Sequence, residues 1–204
     1  MNFVSIDFET ANEYRNSPCA IGVVVANEVG IIDEFYSLIN PLMPFNSNNI
    51  YVHGITERDV ETAPTFAEIW PTLSKYLENQ LVIAHNASFD MSVLRSSLDH
   101  SELPYPEMDY LCTVKIAQKV WPLLENHKLN TLAAHHGITF EHHHALEDAR
   151  VAAKVFMKAM EDYQTNTLDT FLEKCSMKMG RIYEHGYYPP KVNRTRKNSR
   201  IYFK

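Results

Sequence analysis

Apolar residues recur along this chain with two different periods. Residues 2–8 (Asn-Phe-Val-Ser-Ile-Asp-Phe) alternate with period two, and β-rich runs follow at 19–26 and 29–39, which predicts three strands. The break Ala26-Asn27-Glu28-Val29-Gly30 has hairpin chemistry, so the three runs are expected to form an antiparallel meander. After Pro41 the period is lost until about residue 56, and a long polar loop is expected there. Loops of that length in compact domains are often functional.

From Pro64 the spacing becomes helical. Phe66, Ile69, Leu73 and Leu77 share one face, and Phe89, Val93, Leu94 and Leu98 do so over residues 88–98. Between them Leu81-Val82-Ile83-Ala84 is wholly apolar, as expected of a strand buried on both faces. Short helices are expected at 113–121 and 129–136, the second stopped by Gly137. The strongest helix is 145–162, with Ala145, Ala149, Ala152, Phe156 and Ala159 along one stripe. Three strands followed by alternating helices and strands predict an α/β layer on a mixed sheet. Residues 1–164 form the expected domain. Residues 165–204, polar and basic with Pro189-Pro190 and no clear apolar period, are expected to be a tail or linker.

Composition narrows the class. A chain of 204 residues that is 45% apolar and 22% charged can bury a single core, which excludes disordered, fibrous and repeat classes. No run reaches the roughly 18 apolar residues of a membrane span, and the opening Met1-Asn2-Phe3-Val4-Ser5-Ile6-Asp7 has no basic leader region. Cys19, Cys112 and Cys175 are far apart with no CxxC pair, so buried free thiols and a cytoplasmic location are expected. The net charge of −6 is uneven: residues 1–164 carry ten Lys and Arg against 22 Asp and Glu, and residues 165–204 carry nine against three.

Three clusters carry candidate chemistry. Asp7 and Glu9, two apart on a strand, project from one face with Phe8 on the other. Two adjacent carboxylates repel and desolvate one another, so a cation must offset them if they are buried; an exposed strand end is the plain alternative. Asp90 closes the phrase His85-Asn86-Ala87-Ser88-Phe89-Asp90 in the first turn of a helix, where the helix dipole alone favours a carboxylate. His85 reads equally as a satisfied residue at a strand end. The third cluster is His142-His143-His144-Ala145-Leu146-Glu147-Asp148-Ala149. Three adjacent histidines cannot all face one ion on regular structure, but an alanine-rich helix packs closely and could bring Asp148 to the sheet.

In chain order these motifs are distinctive. Asp7-Phe8-Glu9-Thr10, Asn86 to Asp90 and His143 to Asp148 resemble the three motifs of the DEDDh exonuclease superfamily, which includes the proofreading epsilon subunit of DNA polymerase III. Val52-His53-Gly54-Ile55-Thr56 resembles a further element of epsilon-like members. The resemblance covers about residues 1–162. It implies an RNase H-like fold with a mixed five-stranded sheet, an antiparallel three-strand meander plus parallel strands, flanked by helices. It implies metal-dependent removal of nucleoside monophosphates from 3′ ends of DNA, with Asp7, Glu9, Asp90 and Asp148 holding two Mg²⁺ or Mn²⁺ ions. His143, five residues before Asp148, is then the candidate general base, since a histidine titrating near neutrality suits that role. Phe8, Thr10, His53, Asn86 and Phe89 match positions that contact the terminal nucleotide, although Phe89 also fits a core position.

Some readings stay open at this level. The substrate could be a single-stranded RNA end, as for ribonuclease T or oligoribonuclease, and a catalytically silent binding module is the rival of a different class. A polymerase or clamp partner fits the resemblance, although no segment reads as a clamp-binding peptide. The interleaved bases and aromatics after residue 165, among them Lys174, Arg181, Tyr183, Tyr187 and Tyr188, suit single-stranded nucleic acid as well as a solvated tail.

Overall fold

The computed structural model of the chain describes residues 1–165 and 167–193. The expected meander is present as β1 (Phe3–Thr10), β2 (Pro18–Ala26) and β3 (Ile31–Leu38), paired antiparallel in that order. Its second turn is closed by Asn27, whose Oδ1 accepts the N–H groups of Val29 and Gly30 at 2.8 and 3.2 Å. That side-chain bond to its own following backbone is why asparagine favours turns.

A short helix, α1 (Ser47–His53), occupies the region expected to be a loop, and a second, α2 (Glu57–Val60), follows it. The reason is visible in α1: none of its residues is buried, so it carries no apolar period to read. Its ends hold it instead. Asn46 Oδ1 accepts the Asn48 N–H at 2.9 Å, and Gly54 closes the helix at φ 76°.

The next helix, α3 (Phe66–Leu77), opens with a reciprocal Thr65–Glu68 capping box and buries Phe66, Ile69, Trp70, Leu73 and Leu77. Then come β4 (Leu81–Ala84), α4 (Ser88–His100), β5 (Met108–Cys112), α5 (Thr113–Val120), α6 (Leu129–His135) and α7 (Ala145–Asp162). β4 pairs parallel with β1 and with β5. α3 and α4 pack on one face of the sheet, and α5, α6 and α7 on the other. Cys19, Cys112 and Cys175 are buried and free.

The C-terminal region departs from expectation. It continues as α8 (Leu168–Cys175), β6 (Met177–Lys178), β7 (Gly180–Tyr183), β8 (Gly186–Tyr188) and β9 (Lys191–Val192). β7 pairs antiparallel with β5 and β8 with β7. The main sheet therefore has seven strands, ordered β3-β2-β1-β4-β5-β7-β8, rather than five, while β6 and β9 pair separately. Residues 168–192 are accordingly folded onto the body instead of forming a tail. Strands of two to four residues are too short to show a period; buried Phe171, Leu172, Cys175 and Ile182 anchor them through contacts distant in sequence. Residues 194–204, with five of the nine basic residues of the expected tail, lie outside the described residues.

Candidate active site

The site is built where β1, β4 and α7 meet. Alternation along β1 points Asp7 and Glu9 to one side, while the Phe8 ring is 2% exposed in the core. Phe8 nonetheless reaches the cleft lining, and its backbone N–H donates to Asp90 Oδ1 at 3.0 Å. β4 ends in a turn in which Asn86 takes the left-handed conformation at φ 61°, one that asparagine tolerates better than most residues. The turn releases α4, whose first turn carries Asp90, 1% exposed.

Asp148 arrives from the other side. Gly22 on β2 is the cross-strand partner of Asp7. A Cβ at Gly22 would lie 2.3 Å from the Ala145 carbonyl oxygen and 2.4 Å from the Leu146 nitrogen. The N-terminus of α7 therefore rests directly on the strand backbone, and Ala145, Ala149, Ala152 and Ala153 are all buried beneath it. This is the close packing expected of the alanine stripe. It places carboxylate oxygens of Asp7, Glu9 and Asp148 within 4.8 Å of one another.

The charges are poorly compensated. Burial, then Asp90, Glu9 and Asp148, push the Asp7 carboxyl well above the usual carboxylate range. Burial and the charges of Asp148 and Asp90 push Glu9 up to about 8. Burial also raises Asp90 to about 7, against the pull of the Phe8 N–H and of Arg15. Asp148 is raised by burial and drawn partly back by His142. Among the described residues no Lys or Arg forms an ion pair with any of the four. The second oxygen of Asp90 is buried with no hydrogen-bond partner, a costly state for a polar atom. Four converging carboxylates and an orphaned oxygen are what hard divalent cations require, so the residues present fit a metal centre.

The three histidines take three different roles. His142 Nδ1 donates to the two Asp148 oxygens at 3.1 and 3.2 Å. His143, in the left-handed region at φ 68°, gives its backbone N–H to Asp148 Oδ2 at 3.2 Å and stacks its ring on His142 at 3.8 Å. Burial and the neighbouring charge of His142 hold its imidazole below the usual value. His144 turns away and stacks on Tyr36 at 4.8 Å.

A cleft of about 520 Å³ opens over these groups. Asp7, Glu9, Asn86, Phe89, Asp90, His143 and Asp148 line it, as does His142. Phe89 packs partly on the core and also faces the cleft, with the Arg15 guanidinium 4.3 Å from its ring centroid. Thr10 and His53 sit beside the cleft rather than on its lining. His53 Nδ1 accepts the Ile55 N–H at 3.0 Å, so its Nε2 carries the proton and donates to the Thr10 carbonyl at 3.1 Å. Asn49, on α1, donates to the same carbonyl at 2.8 Å.

The far wall was not legible in the sequence. Val114 and Gln118 of α5 and the segment His127-Lys128-Leu129 entering α6 complete the cleft; no motif marked them. Val114 and Gln118, four apart, were the only spacing signal. His85 is held at its strand end by Thr113 Oγ1, 2.9 Å from its Nδ1, and burial pushes its imidazole down to about 4.

Comparison with known proteins agrees with this geometry. The exonuclease family (RNase T type) matches residues 4–156. A DNA polymerase III PolC-type protein of Caldanaerobacter subterraneus subsp. tengcongensis is 32% identical over 182 residues, 88% of this chain but 13% of that protein. A DNA polymerase III subunit epsilon-like protein of Rhodobacter capsulatus is 32% identical over 181 residues, 84% of this chain and 25% of that one. This chain thus spans a small part of both. Among solved structures, exonuclease X in complex with 5′ overhanging duplex DNA superposes with a TM-score of 0.69 at 24% identity, covering 84% of this chain and 98% of that one. The nuclease domain of 3′hExo, a DEDDh family member, bound to rAMP, does so with 0.70 at 20% identity over 79% and 92%. Both share the fold. With its family match covering most of the chain and the motif carboxylates brought into one cleft, this protein belongs to the exonuclease family.

Proposed function

We propose that this domain is a metal-dependent 3′→5′ exonuclease acting on single-stranded DNA ends and releasing nucleoside monophosphates, in a proofreading or repair setting in the cytoplasm. One observation carries the reading: Asp7, Glu9, Asp90, His143 and Asp148, from three segments far apart in sequence, line one cleft. The choice of DNA, and of a polymerase as partner, rests on the names of the PolC-type and epsilon-like relatives.

Asp7, Glu9 and Asp148 would hold two Mg²⁺ or Mn²⁺ ions together with Asp90. Such ions supply activation of the attacking water and stabilisation of the leaving oxygen. The side chains do the rest. His143, facing the cleft, takes the proton of the attacking water. His142 fixes the orientation of Asp148 through its hydrogen bond. Asn86 and Phe89 hold the terminal nucleotide at the cleft edge, with Arg15 backing the Phe89 ring. Thr10 and His53, tied to each other, shape the adjoining rim. The Phe8 backbone fixes one oxygen of Asp90 and leaves the other free.

The test is incubation with 5′-labelled single-stranded DNA and matched RNA in Mg²⁺ or Mn²⁺, with EDTA and the Asp7→Ala protein as controls. Stepwise shortening from the 3′ end, faster on DNA and lost in both controls, is expected. Faster loss of RNA would move the reading to an RNA-trimming enzyme. No shortening of either strand would overturn it.

A further inference from the structure

Outside the cleft, α4, α5 and the β7–β8 hairpin form a surface that the reaction above does not use. The Arg95 guanidinium lies over the Tyr187 ring, 3.3 Å from its centroid, and the ring is 48% exposed. Lys115 Nζ donates to the Pro190 carbonyl at 2.8 Å. The residue before it, Val114, lines the cleft. Pro190 in turn lies against Tyr110: a Cβ added at Gly180 would meet both at 2.6 to 2.7 Å. Lys115 and Pro190 thus join the cleft wall at Val114 to the C-terminal segment, on which Arg95 and Tyr187 stack. On α4, Ser88, Ser92 and Arg95 are spaced i, i+4 and i+7 on one helix face. Ser88 to Arg95 spans about 10 Å of helix.

The charge pattern is as informative. Arg181, on the same hairpin, is consumed by ion pairs with Glu107 and Asp109. Arg95 and Lys115 have no carboxylate within ion-pairing distance among the described residues. Arg95 also donates from Nε to the Met91 carbonyl at 3.1 Å, so its guanidinium is held in place over an exposed tyrosine. Arginine planes and aromatic rings stack bases, and the cations meet phosphates.

We propose that the Arg95–Tyr187 stack, with Lys115, is a second binding site for the single-stranded substrate, taking nucleotides several positions 5′ of the bond being cut. The assignment rests on the exonuclease reading. Tyr188 is the internal control. It is 47% exposed, almost the same as Tyr187, but as the next residue on the strand it projects from the opposite face.

The experiment compares a dinucleotide with an oligothymidylate of about a dozen nucleotides, using steady-state kinetics of the full chain. Tyr187→Ala and Arg95→Ala are each expected to raise KM for the long strand by about tenfold, with its kcat and both constants for the dinucleotide unchanged. Tyr188→Ala should leave all four constants in place. Lys115→Gln, which changes no packed ring, should reduce the slope of log KM against log salt for the long strand by about one. The inference is overturned if Tyr187→Ala leaves the long-to-short ratio of KM unchanged, if both lengths suffer equally, or if Tyr188→Ala acts like Tyr187→Ala. A wild-type protein that shortens neither substrate defeats the exonuclease reading itself, which is a distinct result.

Discussion

Two glycines mark two joints of this molecule, and they differ in what they hold. Gly22 lets the N-terminus of α7 rest on β2, and through it Asp148 reaches Asp7 and Glu9. Gly180 lets Pro190 and Tyr110 close over β7, the strand that pairs the C-terminal hairpin with β5. Neither has room for a Cβ. The first joint lies inside the chemistry, whereas the second lies beside it. Close backbone packing is thus used once to place a charge within a few ångströms and once to attach a surface. Substitutions at the two joints should separate turnover from strand binding.

The largest effect is expected at the carboxylates that the first joint assembles. Asp7→Asn should lower kcat by about a thousandfold or more, since charge stabilisation by metal is lost with the ligand. It should also stabilise the metal-free protein. Glu9 and Asp90 have folded-state values near 8 and 7, above the ordinary 4.5 and 3.8. Groups raised in this way contribute their full stability below the ordinary value and lose it as pH rises through the folded one. Melting temperature in EDTA should therefore fall between about pH 5 and pH 8, recover on adding Mg²⁺ at pH 8, and fall less in Asp7→Asn. Thermal melts that are flat with pH and indifferent to Mg²⁺ would mean the carboxylates are not strained against one another.

Next comes the joint itself. Gly22→Ala must push the Ala145–Leu146 backbone outward. Overpacking of this kind costs about 1–3 kcal/mol, and small misplacement of a catalytic group can cost about a hundredfold in rate. A loss of kcat well beyond what partial unfolding explains, with the protein still folded by circular dichroism, is the expected outcome. Gly180→Ala meets the second joint. A similar cost in stability is expected there, with kcat on a dinucleotide retained. If the two substitutions cost kcat equally, the joints are not functionally distinct.

The same contrast explains what could be read beforehand. Asp7-Phe8-Glu9, Asn86 to Asp90 and His143 to Asp148 are local in sequence, and the Ala145–Ala159 stripe announced the tight helix that carries the last of them. Their alternation and spacing needed no partner to be recognised. The hairpin at 180–188 is different, because its strands exist through pairing with β5, some seventy residues earlier. Helix α1, with no buried residue, is held by its caps and by polar ties from Asn49 and His53 to the Thr10 carbonyl, none of which leaves an apolar period. The cleft wall at His127 and Lys128 comes from a loop whose placement depends on how α6 packs, not on any period of its own. The role of His142 was hidden for another reason: the motif assigns His143 to the site, and only geometry shows that its neighbour grips Asp148.

The smallest expected effect belongs to the tie that braces α7 after the first joint. Arg150 meets Glu34 on β3 through two bonds of 2.6 Å, Nε to Oε1 and Nη2 to Oε2, and also bonds Glu147 within its own helix. Each partner is about 30% exposed, so water and salt screen the pair and its worth is modest. Arg150→Ala should lower unfolding free energy by about 1 kcal/mol, with kcat unchanged because the Gly22 contact still seats the helix. Arg150→Lys should recover little, since an ammonium cannot reproduce the two-pronged bond. The acid side carries a signature of opposite sign to that of the cleft. Arg150 holds the Glu34 carboxyl below its ordinary 4.5, so this stability is present above that value and is lost as pH falls beneath it. Denaturant melts at pH 7 and pH 3 should then show a difference between wild type and Arg150→Ala only at the higher pH, and one that shrinks in molar salt. If instead Arg150→Ala lowered kcat as Gly22→Ala does, the ion pair would share the work of placing Asp148, and close packing at Gly22 would not be sufficient to position it.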